Sequence, residues 1–159
     1  MRYMVKKPVE CTGRELEEFA GLVIKGGQVD RTGLKKRIER ARLLGFCYEG
    51  DELVGTAAIK EAYKAYVSRV FNSANESEKA NEYRYELGWI YTLPNYRRRG
   101  ISRALVEKLL GDYKGYDLFA TTGTGNRTME TILGEHGFQK FGSPFQGRKE
   151  RKQLYVRAE

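Results

Sequence analysis

The chain has 159 residues, the length of one domain, and a chain of this size buries about 70% of its unfolded surface, enough for a hydrophobic core. Hydrophobic residues make up 40% and charged residues 31%; no apolar run approaches the ~20 residues of a bilayer-spanning helix, and the opening MRYMVKKPVE lacks the apolar stretch of a secretory signal, so a cytoplasmic protein without a membrane span is expected. The net charge of +8 attracts anions without choosing among nucleic acid, acidic protein and phosphorylated cofactor, while Cys11 and Cys47 have no metal-ligand spacing and read as free thiols, so no metal is expected.

In chain order, RYMV near the start reads as a short first strand. Thr12 and Glu15 form a capping box, and Leu16, Phe19, Ala20 and Val23 follow at helical spacing until Gly26-Gly27. Residues 31–44 read as a second helix, with Leu34, Ile38, Ala41 and Leu44 on one face and a solvated Lys35, Lys36, Arg37, Arg40 face opposite. GFCYEGDELVGTAAI is a hairpin turning at Glu-Gly-Asp-Glu. Tyr63, Tyr66, Val67, Val70 and Phe71 then mark an amphipathic helix, followed by a polar loop. The aromatic-rich residues 84–93 form a strand that Pro94 stops.

Ile101, Ala104, Leu105, Leu109 and Leu110 predict a helix ending near Gly111, YDLFATT a fifth strand, and Asn126 the cap of a helix that stops at Gly137. FQKFG and KQLYVRA close the chain as strands. Alternating helices and strands with a hairpin in the first half predict a single α/β domain over residues 1–159. Its mixed sheet would have about six to seven strands flanked by about four helices, with a helical insertion near residues 61–83.

The stretch LPNYRRRGIS holds the most informative chemistry. A strand, a short glycine-containing turn and a helix start form one anion-binding device: first-turn amides have no intrahelical acceptor, and the helix dipole adds positive charge there. Gly100 lets backbone approach a phosphate, and Arg97, Arg98, Arg99 and Arg103 add formal charge. Neither G-x-x-x-x-G-K-[ST] nor G-x-G-x-x-G after a strand is present.

YELGWIYTLPNYRRRGISRALVEKLL resembles the signature of the GNAT superfamily of acetyltransferases, with its strand, Tyr-Arg turn and [QR]-x-x-G-x-[GA] helix start. Ser102 departs from the usual Gly or Ala, but it is small, and its hydroxyl could reach a phosphate. NRTMETILGEHGFQKFG resembles the later helix and strand of the family through Asn126, Gly137 and Phe138. The resemblance implies acetyl-CoA as acyl donor, with Ile90, Tyr91 and Thr92 pairing the pantetheine arm. It implies Arg97, Arg98, Arg99, Gly100, Ile101 and Ser102 as the pyrophosphate grip, and Asn126 as a later contact that also reads as a plain helix cap.

Amine acetylation needs a proton acceptor, since an alkyl ammonium of pKa about 10.4 leaves only roughly 0.04% neutral amine at pH 7. Glu86 is the candidate general base. Counting by two puts it on one face with Gly88, Ile90 and Thr92, about 20 Å before Thr92, and some members of the family carry a catalytic Glu at this distance from the turn. The alternative is an edge carboxylate paired with Arg84 or a lysine. The usual acidic Tyr of the family falls at Leu133, which cannot donate, and no other tyrosine stands out; His136 reads as a packed residue at a helix end.

The expected activity is acetyl transfer to a primary amine, on a small molecule or a protein, by direct attack in a ternary complex in a monomer or homodimer. Two rivals stand beside it. One is a nucleic-acid-associated protein using the +8 charge and the basic residues 148–152, possible but not expected without a recognised motif; an aminoacyl-tRNA acceptor would merge the two readings. The other is an inactive CoA-binding module. The apolar stripe of the insertion reads either as core or dimer packing or as a lid over the acceptor.

Overall fold

A computed structural model describes residues 1–27 and 29–159. The chain forms two compact units, one of residues 1–61 and 87–113, the other of residues 62–86 and 114–159. Among the described residues there are eight strands and five α-helices in a mixed α/β fold, one strand and one helix more than expected.

In the first unit β1 (Arg2–Lys6), β2 (Leu43–Glu49) and β3 (Glu52–Glu61) form an antiparallel meander, with Met4 opposite Phe46 and Phe46 opposite Thr56. β4 (Tyr85–Thr92) lies next to β3, and its residues from Leu87 onward belong to this unit. Helix α1 (Gly13–Lys25) starts at the predicted capping box, Thr12 accepting from the Glu15 amide at 3.1 Å and Glu15 from the Thr12 amide at 2.8 Å. It buries Phe19, Leu22 and Val23 against Phe46 and Tyr48.

Helix α2 spans only Leu34–Glu39, not residues 31–44. Leu43 and Leu44 pair with Ile59 and Ala58 instead, because ladder hydrogen bonds and full burial outweigh a helical spacing that happens to include Leu44. Helix α4 (Ile101–Asp112) buries Ile101, Leu105, Val106, Leu109 and Leu110 and runs through Gly111 rather than ending there. Gly45 and Gly55 allow its close approach, since a Cβ on Gly55 would meet Ile101 at 2.6 Å.

In the second unit the start of β4 pairs in parallel with β5 (Leu118–Gly123) at Tyr85–Leu118 and Glu86–Phe119, the only pairs among the described residues. β5 pairs antiparallel with β8 (Arg151–Arg157), which also pairs with β6 (Phe138–Lys140) and β7 (Phe145–Gln146). The two-residue β7 is absent from the sequence-based expectation, being too short for any periodicity. Helix α3 (Lys64–Ser73) and a 3₁₀ turn (Ser77–Glu82) make up the insertion. Val67, Val70 and Phe71 pack with Phe119, Leu154 and Val156, so the stripe forms the core of this unit; Tyr63, 44% exposed, stands outside it. Helix α5 (Arg127–Glu135) buries Ile132 and Leu133.

Candidate active site

The candidate residues lie at two places, one in each unit. The first is the turn between β4 and α4. Pro94 ends the strand and opens a short 3₁₀ turn (Pro94–Tyr96), and Gly100, at φ +76°, starts α4 in the left-handed conformation. Gly100 offers no side chain as a cap, so the amides of Ile101 and Ser102 point ahead of the helix without an acceptor inside it. A Cβ on Gly100 would meet nothing within 4 Å. Arg98 is also left-handed, at φ +64°, which turns consecutive backbone groups in the manner of an anion nest.

The arginines differ in surroundings. Arg97 donates through Nε to the Thr92 carbonyl at 3.0 Å and lies 5.5 Å from the Tyr91 ring centroid, so it braces the turn against the strand end. Arg98 and Arg99 are exposed, with Arg99 5.1 Å from the Tyr96 ring centroid. The Ser102 hydroxyl lies 3.1 Å from that of buried Thr92. Ser102 therefore ties the helix start to the strand end, an explanation for serine here that needs no phosphate. An open cavity of about 520 Å³ near the turn includes Glu49 and Glu52 as well as Arg99, and its carboxylates disfavour a phosphate there. The glycine-led helix start, by contrast, fits a pyrophosphate: free amides, a conformation made for close approach, and formal positive charge.

Ile90 and Tyr91 are partly buried and Thr92 is buried on the same β4 segment, beyond its pairs with β5. The count by two from Glu86 to Thr92 does not survive, however. Trp89 adopts φ +50°, an outlier for a bulky residue, with its carbonyl bonded by the Thr56 hydroxyl at 2.9 Å. Alternation is broken at that point, so a face shared by Glu86, Gly88, Ile90 and Thr92 cannot be read from spacing.

The second place is in the other unit. Glu86 is 4% exposed, so its carboxylate does not stand at an exposed edge. Its Oε2 accepts from the Tyr66 hydroxyl at 3.0 Å. Tyr66 as a whole is partly exposed, yet burial is the main cause holding its hydroxyl well above the ordinary tyrosine range, with the Glu86 charge next. Tyr66 has no signal in the sequence beyond its place in an apolar stripe. Asn126 caps α5 by accepting from the Met129 amide at 3.1 Å, the plain role the sequence allowed. Leu133 is fully buried, and His136 closes α5 with Nδ1 at 2.9 Å from the Ile132 carbonyl. Among the described residues no group of three His, Cys, Asp or Glu could hold a metal, and no helix is long and apolar enough to cross a membrane.

A family model described as Acetyltransferase (GNAT) family matches residues 16–138. No curated protein matches. Among solved structures the chain is similar to a GNAT-family acetyltransferase from Bacillus cereus ATCC 10987, at 18% identity over 98% of this chain and 96% of that one, with a TM-score of 0.65. It is similar to an acyl-CoA N-acyltransferase from Pseudomonas aeruginosa, at 11% identity over 99% and 100%, TM-score 0.70. A third likeness is to Arabidopsis thaliana NAA60 in complex with a bisubstrate analogue, at 13% identity over 98% and 97%, TM-score 0.65. At these identities the likeness is one of fold. The family match spans well over half of the sequence, and on that ground the chain belongs to the GNAT acetyltransferase family, acyltransferases whose fold supports acyl transfer from acyl-CoA.

Proposed function

We propose that the protein transfers an acetyl group from acetyl-CoA to a primary amine, on a small molecule or a protein, by direct attack in a ternary complex, and that it acts in the cytoplasm as a monomer or homodimer. The observation that carries the reading is the start of α4: left-handed Gly100 ahead of two uncapped amides, among three arginines. The amides of Ile101 and Ser102, with Arg98 and Arg99, would hold the pyrophosphate; Arg97 braces the turn through Thr92. The backbone of Ile90, Tyr91 and Thr92 would align the pantetheine arm. Asn126 would add a contact only through atoms its capping role leaves over. When bound, acetyl-CoA supplies a thioester whose thiolate leaves readily, comparable with a cysteine of pKa about 8.5.

The chain's own task is the proton. Glu86 would accept it from the incoming ammonium, directly or through a water, making the small neutral fraction available for attack. Leaving-group departure needs little acid help, so the loss of a phenol at Leu133 does not by itself disable the enzyme. Thiol release from acetyl-CoA, measured against a panel of alkyl amines, polyamines, amino acids and peptide N-termini, tests the reading. One or more amines should release thiol and gain the mass of an acetyl group; tight CoA binding with no amine-dependent release would leave only a binding module.

A further inference from the structure

We propose that Tyr66 is a positioning residue for Glu86, holding the carboxylate oriented for proton acceptance, so that α3 is part of the catalytic framework. The proposal rests on the reading of Glu86 as the base.

The geometry lies within one compact unit. Helix α3 is anchored by Val67, Val70 and Phe71, and the Phe71 ring meets Phe119 edge-on at 5.5 Å and stacks on Tyr83 at 5.1 Å. That anchoring sets the place of Tyr66, whose ring lies 6.4 Å from Phe119 with the Arg69 guanidinium 5.4 Å from its centroid. Its hydroxyl donates to Glu86 at 3.0 Å and is hydrogen-bonded by the Thr121 side chain. The connection therefore runs from β5 through α3 to β4. Glu86 from β4 and Arg69 from α3 act on the hydroxyl through their charge, and β5 presents Thr121.

A buried carboxylate is costly unless hydrogen-bonded, and a phenol that donates to it restricts its rotation. The same phenol is a poor acid for this reaction. Burial and the neighbouring charge hold its proton well above the ordinary tyrosine range, whereas the leaving thiolate binds a proton only below about pH 8.5. Tyr66 therefore acts through Glu86 and not on the leaving group.

The test uses the full chain as Tyr66→Phe, which keeps the ring and removes the donor, alongside Glu86→Gln and the double variant. In protein carrying ¹³C-labelled glutamate, the side-chain carboxyl signal that vanishes in Glu86→Gln identifies Glu86. In Tyr66→Phe that signal should shift at a fixed neutral pH, because the carboxylate has lost its donor. With acetyl-CoA and the best amine of the panel, Tyr66→Phe should lower kcat about tenfold at neutral pH and leave the KM for acetyl-CoA unchanged. The double variant should be no slower than Glu86→Gln. An unmoved carboxyl signal, or an equal loss from Tyr66→Phe in both backgrounds, overturns the proposal. Full activity in Glu86→Gln overturns the base reading and the proposal with it; an inactive Glu86→Gln beside a wild-type-like Tyr66→Phe removes Tyr66 alone.

Discussion

The turn at residues 97–102 and the Tyr66–Glu86 pair face opposite electrostatic problems. The turn is exposed and positive, made of consecutive residues, and its charge is tolerable with or without a ligand. The pair is desolvated, and a hydrogen bond from the Tyr66 hydroxyl joins residues twenty apart in sequence. A surface device can be written locally, because a strand stop, a glycine and a helix start suffice. A buried carboxylate needs a scaffold that delivers its donor, and here α3 and its apolar anchors are that scaffold.

The comparison predicts that the second region is the more sensitive to distant packing. Phe71→Ala should destabilise the protein by about 3–5 kcal/mol in urea unfolding, by removing a fully buried ring beside Phe119 and Tyr83. No substitution confined to the exposed arginines should approach that. Next in size, Asn126→Ala should cost about 1 kcal/mol through loss of the α5 cap. If CoA affinity falls along with stability, Asn126 serves the ligand as well. Ser102→Ala should likewise cost about 1 kcal/mol or less by loosening the contact with Thr92, with CoA affinity nearly unchanged; a large affinity loss would make the hydroxyl a phosphate ligand instead.

The smallest effect is a pH dependence. The Tyr66 hydroxyl is held above its unfolded value, so its contribution to stability is complete below about pH 10 and fades as pH rises toward the folded value. Thermal melts from about pH 9 to 11 should show a shallower alkaline decline for Tyr66→Phe than for the wild type. Parallel curves would show that this phenol is not desolvated as described.

The same contrast explains what could be read from sequence. The capping box at Thr12, the hairpin, the helix start at Gly100 and the cap at Asn126 are local patterns with local physics, and each is found in the structure. Leu43 and Leu44 were drawn into a strand by partners that a helical count cannot see. Trp89 at φ +50° breaks the alternation expected along β4, and no spacing rule foretells a bulky left-handed residue. Tyr66 reads in the sequence as one more apolar position, because the Glu86 partner of its hydroxyl is supplied by tertiary structure.

The central claim is a division of labour: the glycine-led turn binds the acyl donor, and Glu86 handles the proton. Steady-state titration with acetyl-CoA of Gly100→Val and Glu86→Gln side by side tests it most directly. Valine at φ +76° strains the helix start and fills the space before its amides, so Gly100→Val should raise the KM for acetyl-CoA about tenfold or more with kcat largely kept. Glu86→Gln should lower kcat roughly a hundredfold or more with that KM unchanged. Loss of the same parameter in both variants, or full kcat in Glu86→Gln, would contradict the account.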